Sequence, residues 1–235
     1  MQLRKLNLLL LFTICCVGCK KYVDNDNLPP KVPPTIIILG SSTAAGIGAS
    51  PIDSAWAYRL QSAVNKTQEK ARFINLAYSG YTLYQAMPNG YQVTGRPLPD
   101  TARNITKALS YHPNMIMISF PTNDIASYYS DDEIINNYAK LTHMLDSAKV
   151  AYIIFSTQPR SFTDINQSMR LKSVNDKIKS LYTTHYNDFL DQLSTSTYSI
   201  KPLYSAGDGI HLNNAGHWVI FNATLNHPML IKVLQ

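Results

Sequence analysis

The sequence predicts an α/β protein, a three-layer α/β/α sandwich with a mainly parallel central sheet. Two observations carry this. Short apolar runs rich in β-branched and aromatic residues recur along the chain, as strands buried on both faces require. Between them lie longer stretches whose apolar residues repeat at helical spacing, so strands alternate with helices that return the chain to the same sheet edge.

The predicted strands are "TIIIL" (35–39), "FINLA" (73–77), "MIMISF" (115–120) and "AYIIFS" (151–156), with "YNDFL" (186–190) as a less apolar fifth. The first helix is expected within "DSAWAYRLQSAVNK", where Trp56, Leu60, Ala63 and Val64 share a face and Asp53 or Ser54 would cap the start. "DTARNITKALS" (100–110) opens on Asp100 and repeats Ala102, Ile105, Ala108 and Leu109. "SDDEIINNYAKLTHMLDSA" (130–148) begins with Ser130 and acids in its first turn, which suit the positive end of a helix. Two more helices are expected in "NQSMRLKSVNDKIKSLYTTHY" (166–186) and "NNAGHWVIFNATL" (213–225). In sheets of this kind ligands gather beyond the carboxyl ends of the strands.

Of 235 residues, 45% are hydrophobic and 15% charged, the composition of one packed domain rather than a disordered chain. The formal net charge of +6 is dispersed, with no basic run beyond Lys20-Lys21, so no nucleic-acid partner is expected. All three cysteines, Cys15, Cys16 and Cys19, lie in the N-terminal segment, which rules out a disulfide framework or a cysteine metal site in the domain. That segment, "MQLRKLNLLLLFTICCVGCKK", has two basic residues, an apolar stretch from Leu6 to Val17 and then small residues, the form of a secretory signal. Its "CVGC" resembles a bacterial lipobox, with Cys16 where Leu is usual. The resemblance implies cleavage before Cys19 and lipidation there. Residues 1–18 are then a signal peptide, 19–34 a lipidated Pro-rich tether, and 35–235 the folded domain. The expected address is the bacterial cell envelope, with the membrane reached only through the anchor. Lys20, in place of a retaining Asp, favours the outer membrane.

Four segments fall at predicted strand ends or in loops: "LGSSTAAG" (39–46), "YSGYT" (78–82), "PTND" (121–124) and "DGIHLNNAGH" (208–217). Each alone is ordinary turn composition. A P-loop is excluded, because no Lys-Ser/Thr follows the first. A dinucleotide fingerprint is excluded too, since Gly46-Ile47-Gly48 is followed by Ala49, Ser50 and Pro51. His112, His143, His185, His217 and His227 have no metal-ligand spacing, and neither metal nor cofactor is expected.

Together and in this order, the four segments resemble the blocks of the SGNH hydrolases, the GDSL esterase/lipase superfamily, over about residues 36 to 220. The resemblance implies a flavodoxin-like sheet and a serine esterase. Gly40-Ser41-Ser42-Thr43 stands for the first block and makes Ser42 the nucleophile, with Ser41 where Asp is usual. Gly80 matches the glycine whose N–H enters the oxyanion hole. Pro121-Thr122-Asn123-Asp124 matches the third block with Pro for Gly, and Asn123 adds an amide donor. Asp208-Gly209-Ile210-His211 matches the last block in full and supplies the base His211 and its partner Asp208. These types suit the reaction: a serine hydroxyl needs a base, the imidazole needs a fixed tautomer, and a tetrahedral oxyanion needs donors, here Ser42 N–H, Gly80 N–H and Asn123.

The substrate is less legible. The long loop 78–99 carries Tyr78, Tyr81, Tyr84 and Tyr91, whose rings would suit sugars or would pack the loop onto the domain. Tyr81 and Tyr84, with Gln158 and Arg160 of "TQPR", are the candidate substrate-binding residues. A carbohydrate O-acetylesterase acting on a small-molecule or glycan ester is favoured. A lipid-directed esterase, lysophospholipase or thioesterase is the alternative, followed by a non-catalytic binding module.

Overall fold

Five parallel strands form the central sheet: β1 (Thr35–Gly40), β2 (Arg72–Asn75), β3 (Met115–Ser119), β4 (Ala151–Phe155) and β5 (Tyr186–Asn187), in the order β2-β1-β3-β4-β5. A computed structural model describes residues 32–67 and 70–235. The expected signal segment, Cys19 and the tether through residue 31 lie outside the described residues. Pro33–Gln235 is one compact unit. Among the described residues no helix is long and apolar enough to cross a membrane.

The strands run as apolar series because both sheet faces are covered. Alternation along β1 sends Ile37 and Leu39 to one face, where they join Ile116 and Ile118 of β3. Ile36 and Ile38 go to the other, with Met115 and Met117. The first face is covered by α3 (Leu83–Ala86), α4 (Ile105–Leu109), α6 (Asp131–Ser147) and α7 (Ile165–Leu181), through residues such as Leu83, Ile105, Leu141 and Val174. The second is covered by α2 (Trp56–Asn65), α9 (Asn214–Leu225) and α10 (Pro228–Leu234), through Trp56, Leu60, Ile220 and Leu230. Burying each such aliphatic side chain stabilises the fold by about 1.5–3 kcal/mol before the entropy of ordering is counted.

The expected helix over 53–66 begins at Trp56, and neither Asp53 nor Ser54 caps it; Ile52–Ser54 is a 3₁₀ turn. The cap comes from across the fold, where the Trp56 N–H donates to His217 Nδ1 at 3.3 Å. The helix expected from Asp100 begins only at Ile105, capped by Asn104. Asp100 instead accepts the Ala102 N–H, a local bond that competes with helix, and the hydroxyl of the more distant Tyr81. Ser130 caps α6 as expected, in a reciprocal box with Glu133. The helix expected over 166–186 ends at Leu181, and Thr183–His185 turns into β5, which takes only two residues of "YNDFL". The remaining helices, α1 (Ser42–Ala45), α5 (Thr122–Ala126) and α8 (Leu190–Leu193), are single turns, too short for periodicity to disclose.

β1 lies between β2 and β3, so the chain winds outward from it in both directions. The carboxyl ends of β1 and β3 are therefore a topological switch point, where a doubly wound sheet leaves a crevice. The first and third candidate segments emerge there.

Candidate active site

β1 ends on Gly40, and α1 starts two residues later with Ser41 at its N-cap. Gly40 is required by proximity: a Cβ there would lie 2.6 Å from the Ala44 Cβ and 3.0 Å from the Ser119 carbonyl oxygen. The turn can thus fold tightly beside β3. It leaves Ser42 mostly buried, 7% exposed, on the wall of a recess of about 20 Å³. Asn123, Gln158 and Ile210 line the same recess, so it joins the first block, the third and the residue before His211.

Asn123 lies in α5 just after β3, and its Nδ2 donates to the Tyr81 carbonyl at 3.0 Å. That bond orients the amide and uses one of its two hydrogens. Gly80, at φ +82°, sits in the same turn as Tyr81. Beneath them Asp124 is fully buried and accepts the Leu83 N–H with both oxygens, at 3.0 and 3.2 Å. Burial pushes its carboxyl well above the ordinary range, against the pull of the Leu83 N–H. Asp124 thus ties the start of α3 to α5, which fixes the two loops carrying Gly80 and Asn123.

The last block forms a closed local unit. Asp208 Oδ1 accepts the N–H groups of Ile210 and His211, both at 2.8 Å, and Oδ2 meets His211 Nδ1 at 2.6 Å. Burial would raise the Asp208 carboxyl, but the His211 and Ile210 N–H groups and the imidazole hold it down at about 2. It is an anion at neutral pH and can only accept, so Nδ1 of His211 carries the proton and Nε2 keeps its lone pair.

Sequence reasoning missed what presses this unit towards α1. Gly48, excluded above from a dinucleotide motif, has φ +93°, and a Cβ there would lie 2.2 Å from the Leu212 carbonyl and 3.0 Å from the His211 Cβ. Only glycine lets the loop after Ser42 approach His211 so closely. His217, fully buried, holds that loop: its Nδ1 accepts from Trp56, so Nε2 is the protonated nitrogen and donates to the Ile47 carbonyl at 3.1 Å. Burial pushes His217 down to about 4, which keeps it neutral. These bonds give His217 a structural role.

The tyrosines of loop 78–99 are not at the recess. Tyr84 is 1% exposed, packs in the core and donates its hydroxyl to Glu133. With Tyr91 it lines a separate groove of about 990 Å³ that shares no residue with the recess. The Tyr81 hydroxyl is engaged by Asp100; burial and that carboxylate push it up to about 12. These rings mainly pack the loop onto the domain, which corrects the substrate-binding expectation for Tyr84 and leaves Tyr81 with a structural bond. Gln158 does lie at the recess, with its side-chain amide bonded to protein. The Arg160 guanidinium lies over the Phe162 ring, 5.1 Å from its centroid, and Arg160 is not among the residues that line the recess.

With this geometry in place, the comparisons with known proteins assign the class. Residues 38–219 match the GDSL-like Lipase/Acylhydrolase family, and the chain belongs to it. It is an ester-hydrolysing serine hydrolase of the SGNH/GDSL type. A search of curated protein sequences gives no significant match. Among solved structures, it resembles the psychrotrophic esterase EstA from Pseudoalteromonas sp., with a TM-score of 0.62 and 20% identity over 86% of this chain and 98% of that one. A GDSL-like lipase from Bacteroides thetaiotaomicron aligns with a TM-score of 0.59 and 16% identity, over 89% and 93% of the two chains. A two-domain esterase active on acetylated mannans aligns at 0.56 and 19%, over 86% of this chain and 49% of its own. At these identities the likeness is one of fold.

Proposed function

We propose that Ser42, His211 and Asp208 hydrolyse a short-chain ester, with an acetylated carbohydrate as the substrate class. The observation that carries the catalytic reading is the Asp208–His211 pair, which leaves Nε2 as the ring nitrogen available to act as a base, on a side chain whose Cβ lies against Gly48 in the loop that follows Ser42. Nε2 takes the Ser42 hydroxyl proton as Oγ attacks the ester carbonyl. The resulting oxyanion is met by the N–H groups of Ser42 and Gly80 and the second amide hydrogen of Asn123. Collapse transfers that proton to the departing alcohol and leaves an acyl-serine. Water, deprotonated by the same nitrogen, releases the acid and restores Ser42.

The size of the recess supports a short acyl group. The recess beside Ser42, which Asn123 also lines, is small, about 20 Å³. This reading is supported by a structural neighbour, a two-domain esterase active on acetylated mannans. Acetylated oligosaccharides and acetyl aryl esters should be cleaved well, with rates falling steeply from butyryl to octanoyl esters. Faster turnover of octanoyl or lysophospholipid substrates would favour the lipid-directed reading.

Asn123→Ala should lower kcat by roughly 10²–10³-fold with little change in KM, because its amide meets charge that develops in the transition state. A change confined to KM would assign it to ground-state binding. We further propose that Cys19 carries the lipid and tethers the domain to the outer membrane, the region 20–34 acting as spacer. Mass spectrometry of the mature N-terminus and fractionation of Cys19→Ala check this. An unmodified N-terminus would leave a secreted esterase without an anchor.

A further inference from the structure

The geometry points to Gln158 as a positioning residue that sets the alignment of Ser42, Asn123 and His211; the inference rests on the serine-esterase reading above. Gln158 follows β4, on the strand-end face where α1 and α5 begin. Its Nε2 donates to the Ile210 carbonyl at 2.8 Å, and its Oε1 accepts the Thr43 hydroxyl. The orientation of the amide is unambiguous, since a carbonyl oxygen can only accept and must face the NH₂ end. Its backbone is tied as well: the Gln158 N–H donates to Thr122 Oγ1 at 3.0 Å, and the Thr122 hydroxyl donates to the Gln158 carbonyl at 2.9 Å.

Each of these partners is the chain neighbour of a proposed catalytic residue. Thr43 follows Ser42, Thr122 precedes Asn123 and Ile210 precedes His211. The peptide joining Ile210 to His211 is consequently pinned at both ends, its carbonyl on Gln158 and its N–H on Asp208 Oδ1. The Asp208 bonds fix the imidazole within its own loop, but they do not fix that loop relative to α1. Gln158 supplies a direct side-chain link between the two. Misplacement by about 1 Å costs on the order of 10²-fold in rate, so a bridge of this kind controls turnover without touching substrate.

The test uses the purified full domain with Gln158→Glu, Gln158→Leu and Thr43→Val, alongside Ser42→Ala. Gln158→Glu keeps the size but loses the donor to Ile210; Thr43→Val leaves Gln158 in place and removes one arm of the bridge. Active sites are counted by covalent titration with a phosphonate ester, and kcat is expressed per titrated site on an acetyl aryl ester. The expected result is a fall of about 10–100-fold in kcat per site for both Gln158 variants, with KM within about threefold of wild type. Thr43→Val should fall less, by about 3–10-fold in kcat per site, again with KM within about threefold of wild type. Wild-type kcat per site in Thr43→Val and in whichever Gln158 variant folds would overturn the proposal and leave Gln158 a merely structural residue. A loss confined to KM would overturn it by making Gln158 a substrate contact. Retained turnover in Ser42→Ala would instead overturn the underlying esterase reading, whatever Gln158 does.

Discussion

Replacing Ser42 with alanine should abolish ester hydrolysis, lowering kcat/KM for an acetyl aryl ester by roughly 10⁴-fold or more. The substitution removes one oxygen from the wall of a small recess. It leaves the backbone of α1 intact, including the bonds from Ala45 N–H to the Ser41 carbonyl and from Ile47 N–H to the Ser42 carbonyl. The midpoint of thermal unfolding should therefore stay within a few degrees of wild type, since removing one hydroxyl while the helix bonds are kept costs about 1 kcal/mol. Loss of activity together with loss of the fold would make Ser42 structural. Wild-type turnover would pass the role to Ser41, its neighbour in the same turn.

His211→Ala should be about as damaging as Ser42→Ala, and the double variant no worse than either alone. Residues that act as one unit are not additive: without its base the hydroxyl attacks too slowly for the rest of the site to matter. Asp208→Ala should cost less, because the imidazole keeps its nucleophile-facing nitrogen and loses only the partner that sets its tautomer. The pH profile gives an independent reading. Asp208 is held at about 2 by the His211 and Ile210 N–H groups and the imidazole, so it stays ionised throughout the range in which the enzyme is assayed. Asp208 should therefore add no step to the acid side of the activity profile above pH 4, and a carboxylate titration seen there by NMR at Asp208 would contradict this. Additive losses in the double variant would show that Ser42 and His211 do not act on one step.

Much of this was legible in the sequence because it depends on local composition. β1, β3 and β4 are apolar on both faces, and no other environment suits "TIIIL", "MIMIS" and "AYIIF". Ser130 and Glu133 announce the start of α6 at three-residue spacing. Asp208 and His211 are close enough in sequence to meet within one loop, as they do at 2.6 Å. The rest depends on contacts that no sequence period encodes. The start of α2 is set by His217, 161 residues away, and not by the nearby Asp53 or Ser54. Tyr84 is carried inward by α3 to reach Glu133, 49 residues on, although its sequence surroundings are those of a surface loop. Gln158 reads in the sequence as a candidate substrate contact after a strand, because its partners Thr43 and Ile210 are 115 and 52 residues distant. Gly48 offered a signal of its own, a second glycine closely following Gly46 once a phosphate loop had been excluded. Its reason, the approach of His211 and Leu212, appears only in three dimensions.

Covalent labelling shows directly whether Ser42 forms the acyl-enzyme. Wild-type protein is treated with a fluorophosphonate, which captures an activated serine, and the modified peptide is fragmented by mass spectrometry to separate Ser41 from Ser42. One phosphonate per chain is expected, on Ser42, with labelling lost in His211→Ala and in Ser42→Ala. A label on Ser41, or labelling of Ser42→Ala at the wild-type rate, would contradict it.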